Sequence, residues 1–180
     1  MKSLFRGLEG LLTFITRTAA LLAGICILIV AFIVVYEIIM RGLLDSPTEW
    51  VLEISTYLII VAGFLGFAIA FRDGAHIGVD ILTSHFSPKV EAAVRFVMTA
   101  IAVFLFFVFM TESTDMVMSS YKYNKLSPSI LRFPLYIPQI SMVVGSALLM
   151  LELIRRLILD AWFLITGNHA DCDKAPKGGH

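Results

Sequence analysis

Glu37 is the one acidic side chain close to the interior of a long apolar run, and a carboxylate so placed can carry a coupling proton through a small exporter. Arg41 follows four residues later on the same helical face, so an interfacial ion pair is the competing role. Position favours the pair, because Glu37 lies at the end of its run and not at its centre. The histidines are His76, His85, His169 and His180. A membrane haem or quinone anchor built on haem needs axial histidines facing each other inside the bilayer, and none of the four lies in an apolar run. His76 and Asp80 stand four apart with His85 near, which is half of a metal site without a third strong ligand at helical spacing. A polar loop against a neighbouring subunit or lipid head groups suits them better. No C-x-x-C, H-E-x-x-H, G-x-S-x-G or phosphate-binding loop occurs, so no enzyme signature is present and no cofactor is implied.

The elements that must position these residues follow from composition. Of 180 residues, 58% are hydrophobic and 16% charged, and the mean hydropathy is +0.87. Soluble domains carry about a quarter charged residues, so the chain reads as an integral membrane protein. Fourteen basic and fourteen acidic residues balance, which removes the basic footprint of a nucleic-acid binder. Cys26 and Cys172 lie in an apolar run and a polar tail, and do not make a disulfide framework. Four charge-free stretches stand out: Thr18 to Tyr36, Ile54 to Phe71, Phe96 to Thr111 and Phe133 to Leu151. Runs of this length must be helices, because lipid offers the backbone no hydrogen-bond partner.

The expected fold is therefore all-α: one membrane domain over residues 1–166, with spans at 18–40, 54–72, 90–112 and 134–157. Leu4, Leu8, Leu11 and Ile15 recur at helical spacing before the first span. They predict an amphipathic surface helix over 3–17, weakened by Gly7 and Gly10. A short interfacial helix is expected between spans two and three, at 78–86, and a disordered tail at 167–180. Lysine and arginine concentrate in the N-terminal segment, the second loop and the C-terminal segment, which predicts both termini on the cytoplasmic side. Ala62, Gly63, Gly66 and Ala70 give the second span a row of small residues suited to close helix packing. Phe104, Phe106, Phe107 and Phe109 crowd the third span, facing either lipid or a partner membrane protein. The middles of the spans hold only Cys26, Thr99, Ser141 and Ser146 as polar side chains, and lone hydroxyls of this kind bond their own helix.

The loop before the second span reads Ser46-Pro47-Thr48-Glu49-Trp50 with Glu53 beyond it. The second span contains Gly63-Phe64-Leu65-Gly66 and runs out through Phe71-Arg72-Asp73-Gly74-Ala75-His76-Ile77-Gly78-Val79-Asp80. Ser127-Pro128 and Phe133-Pro134-Leu135-Tyr136-Ile137-Pro138 precede the fourth. In this order the segments resemble the DctQ-like small membrane subunit of tripartite ATP-independent periplasmic (TRAP) transporters, over residues 18–158.

That resemblance implies a non-catalytic scaffold in the bacterial inner membrane. It implies pairing with a large elevator-type membrane subunit that carries an organic acid with sodium ions, and a periplasmic substrate-binding protein that the small subunit helps to dock. It implies no substrate, metal or catalytic residue in this chain. The residues carried over as interface or structural positions are Trp50, Glu53, Arg72, His76, Asp80, Pro134 and Pro138, with Asp73 as an inner-rim partner of Arg72. Trp50 is equally an ordinary belt tryptophan. Glu53 suits the positive end of the second helix or a pair with Arg41, and Arg72 can reach lipid head groups. The rival readings are a homodimeric proton-coupled exporter using Glu37 and a haem or quinone anchor.

Overall fold

Four helices carry nearly all of residues 2–46, 48–72 and 88–166, which are the residues described by the computed structural model. They are α1 (Lys2–Leu43), α2 (Trp50–Arg72), α3 (Pro88–Lys122) and α4 (Tyr136–Thr166). Each contains a segment long and apolar enough to cross a bilayer, and the described residues hold no strand beyond one isolated bridge, Leu126 with Pro134. The interfacial segment at 78–86, the tail, and Asp73, His76 and Asp80 lie outside the described residues.

The segment expected as a separate surface helix is instead continuous with the first span. Nothing between 3 and 18 forces a break: there is no proline, and an isolated glycine costs a helix only about 1 kcal/mol. Thr13, Thr16 and Thr18 each donate to the carbonyl four residues back, which carries the helical ladder through the junction. Thr16, Ala19 and Ala23 form the buried stripe of this helix.

α3 also runs past its expected end. It stops at a Schellman motif, in which Asn124 N–H meets the Tyr121 carbonyl and Lys125 N–H the Ser120 carbonyl. Asn124 holds the left-handed conformation at φ 45°, which asparagine tolerates better than most residues. α4 begins at Tyr136 and not at 134, because Pro134 is engaged in the bridge to Leu126. Pro138 therefore falls in the first turn, where its missing N–H has no helical acceptor to lose, so no bend is required there.

The helices pack as a row: α1 on α2, α2 on α4, and α4 on α3. α4 is the most buried, with Ser141, Gly145, Ser146, Leu149, Glu152, Leu153 and Asp160 along its inner side. The tightest crossing is between α2 and α4. A methyl group added at Gly145 would overlap the backbone carbonyl of Phe64, so only glycine lets these backbones approach. The small residues expected to pack on α2 divide. Ala62 is buried, but Gly63 and Gly66 face open space and Ala70 is exposed. Ser55 and Ala68 are the other small buried positions of that helix. On α3, Thr99, Ser113 and Ser120 are buried and recur at multiples of seven, the period of left-handed helix packing.

Candidate functional site

The polar side chains gather at the two ends of the row. At one end Glu152 of α4 has a side chain with no exposed surface. Its Oε1 accepts from Arg72 Nη1 at 3.0 Å and lies 3.2 Å from Thr16 Oγ1, whose one proton is shared with the Leu12 carbonyl, and its Oε2 accepts from Arg155 Nε at 2.9 Å. Arg72 also donates to Thr13 Oγ1. One carboxylate thus ties α1, α2 and α4. A turn or two further along α4, Asp160 is almost fully buried and pairs with Arg95 Nε of α3 at 3.1 Å and with Arg156 Nε at 3.4 Å. Together the two acids join all four helices. Acids buried in this way persist only when charge partners and hydrogen bonds replace their lost water.

At the other end two carboxylates hold the connections between helices. Glu37 of α1 accepts from the Thr48 backbone N–H at 3.2 Å and from the Thr48 hydroxyl, and pairs with Arg41 Nη2 at 3.2 Å. Its oxygens are occupied by the α1–α2 connection, at the end of the helix. Glu53, in the first turn of α2, accepts from Tyr57 Oη at 2.7 Å and from Ser129 Oγ in the α3–α4 connection. It does not pair with Arg41. That connection is a tight hairpin, with Ser127 N–H on the Phe133 carbonyl at 2.8 Å and Leu135 N–H on the Lys125 carbonyl at 3.1 Å. Phe133 packs on Tyr57 with ring centroids 5.4 Å apart. Trp50 lies half-exposed against Tyr36 of α1 at 5.9 Å.

Between the ends the contacts are apolar. Phe109 of α3 stacks on Phe64 of α2 at 5.6 Å, and Phe106 meets Phe109 edge-on. Phe104 and Phe107 point outward. The hydroxyls of Thr99, Ser141 and Ser146 donate to carbonyls of their own helices. Among the described residues, no three His, Cys, Asp or Glu side chains come together as a metal-holding group.

Of the positions singled out in the sequence, Arg72, Glu37, Glu53 and Trp50 take part in ties between elements, and Arg41 pairs with Glu37 within α1. Pro134 and Pro138 shape the start of α4. Glu152, Asp160, Arg95 and Ser129 were not singled out. Their signal was present: Glu152, Arg155, Arg156 and Asp160 sit at the three- and four-residue spacings of intrahelical ion pairs on an otherwise apolar helix. A cluster of arginines beside a membrane span is first read as a topology signal, and that reading hides the acids between them.

A family model described as tripartite ATP-independent periplasmic transporters, DctQ component, matches residues 30–162. The chain is also 24% identical over 160 residues to a Haemophilus influenzae (strain ATCC 51907 / DSM 11121 / KW20 / Rd) protein described as a TRAP transporter small permease protein. That alignment covers 89% of this chain and 98% of the relative.

Proposed function

Because the chain belongs to the DctQ component family of tripartite ATP-independent periplasmic transporters, we propose that it is the fixed, non-catalytic scaffold of such an uptake system. It spans the bacterial inner membrane with both termini on the cytoplasmic side. It pairs with a larger elevator-type membrane subunit, which moves an organic acid together with sodium ions. The end of the row built around Glu37, Glu53 and the α3–α4 hairpin faces outward and helps to seat the soluble binding protein.

The observation that carries this reading is the set of buried ion pairs. Glu152 and Asp160 fasten four helices to one another. Sliding one helix past another would strand a buried charge, at a cost of about 3–5 kcal/mol. Such a body suits the part of a transporter that stays put while another moves.

The test is purification of the tagged chain from its native membrane in mild detergent, with mass spectrometry of what accompanies it. A stoichiometric, much larger polytopic protein is expected. A chain that purifies alone as a stable homo-oligomer would overturn the scaffold reading.

A further inference from the structure

The uncharged band of α3 ends early on one side compared with the bands of its neighbours. Phe64 sets a common level, since its carbonyl lies against Gly145 of α4 and its ring stacks on Phe109 of α3. From that level α2 runs outward about 16 Å before its first acid, Glu53, and α4 stays uncharged for a similar distance. On α3, Glu112 arrives after only about 5 Å and Asp115 after about 9 Å. In the other direction Arg95 lies about 21 Å from the common level, matching its partner Asp160 at about 22 Å along α4. A tilted membrane does not account for this early charge, because α2 and α4 agree with each other on the outer side while α3 and α4 match on the inner side.

Glu112 and Asp115 are therefore at a depth where the neighbouring helices carry no charge. Both are exposed, and among the described residues neither has an ion-pair or hydrogen-bond partner. A helical side chain leans toward its own N-terminus. On α3 that direction is inward, away from the nearer surface, so these carboxylates are poorly placed to reach water by snorkelling. Charged groups at such depth face protein or a water-filled space and not lipid.

The face they occupy is continuous. Ile101, Phe104, Val108, Glu112 and Asp115 follow at spacings of three and four, and the three apolar members are 50%, 66% and 42% exposed. This stripe is opposite the buried Thr99, Ser113 and Ser120 stripe that packs on α4, so it forms the free lateral edge of the row.

We propose that this edge of α3 is the surface that docks the large membrane subunit, which presents an apolar helix face carrying a cation or hydrogen-bond donors opposite Glu112 and Asp115. The proposal rests on the scaffold reading and adds the face and the chemistry. An apolar lower half supplies packing area, and an acidic upper half supplies register, since an unmatched partner leaves two carboxylates uncompensated.

The experiment uses the full chain co-purified with its large subunit. A photo-crosslinking residue replaces Val108 on this edge or, as the comparison, Phe32, which is 74% exposed on α1 at the other edge. Crosslinks to the large subunit from position 108 and not from position 32 are expected. The double substitution Glu112→Leu with Asp115→Leu should fold at least as well as the parent in detergent, yet lower recovery of the complex about tenfold or more. Crosslinks only from position 32, with full complex recovery from the double variant, overturn this proposal and leave the scaffold reading standing. If no large subunit accompanies the parent chain, the scaffold reading fails, and products from position 108 on lipid or on a second copy overturn the proposal as well.

Discussion

Arg72 and Glu152 are 80 positions apart in the chain and 3.0 Å apart in space. The arginine closes α2 as its charge-free run ends, and the acid interrupts α4 at the matching depth. The pair sets the register of the two central helices, and Thr16 and Thr13 extend it to α1. Arg72→Met should therefore destabilise the folded chain in detergent by about 3 kcal/mol, because Glu152 stays buried with one guanidinium fewer. Replacing both, Arg72→Met with Glu152→Leu, should recover part of that loss, since the fully buried carboxylate is gone and only the partly exposed Arg155 loses a partner. Thermal unfolding of the three variants measures this. In the assembled transporter, Arg72→Met should lower complex yield while leaving the substrate concentration for half-maximal uptake unchanged.

Gly145→Ala should cost about 1–3 kcal/mol, the usual penalty for overpacking, because the new methyl meets the backbone carbonyl of Phe64 and not a side chain that can move aside. Gly63→Ala and Gly66→Ala should be neutral or mildly stabilising by up to about 1 kcal/mol, since both positions open onto empty space within this chain. Unfolding midpoints of the three variants decide the matter. Equal losses at all three would mean that the α2–α4 crossing is not where the structure places it.

The four spans were legible because charge punctuates them, and lipid leaves an uncharged run of that length one conformation. Which faces meet was much less legible. α2 is apolar on all sides, so its row of small residues carried no direction, and Gly63 looked as suited to packing as Ala62. Gly145 was visible only as half of a short small-residue pair with Ser141. Glu37 and Arg41 could be paired from spacing alone, because both lie on one helix. Glu53 could not be assigned to Ser129, which becomes its neighbour only when the α3–α4 hairpin folds back over α2. Charge does not stop a helix, and α3 runs through Glu112 to Lys122. Glu112 does not end α3; the backbone geometry at Asn124 does.

The α3–α4 hairpin depends on Glu53 for its position over α2. Glu53→Leu removes the acceptor for Ser129 and Tyr57 together, so the hairpin loses its side-chain tie to α2. The loss should be local. Brief protease treatment of the detergent-solubilised chain should cut the variant between Asn124 and Phe133 several-fold faster than the parent, with the four helices remaining intact. Unchanged cutting would mean that the bridge from Leu126 to Pro134 and the contact between Phe133 and Tyr57 hold the hairpin without the carboxylate.

Glu37 separates the scaffold reading from the exporter reading most directly. A proton-carrying acid must exchange its hydrogen-bond partners as it loads and releases, whereas Glu37 is held by the Thr48 backbone, the Thr48 hydroxyl and Arg41 at once. Its place at the end of α1 makes it a clasp on the short connection to α2. Glu37→Gln keeps an acceptor oxygen for Thr48 and removes the charge facing Arg41, which is an exposed and therefore weak pair. The variant should assemble normally, and uptake by the complete transporter should keep its rate within about twofold and its dependence on external pH unaltered. Complete loss of transport in a variant that still folds and assembles, together with loss of the pH dependence in Glu37→Asp, would reinstate a proton-carrying role for this residue.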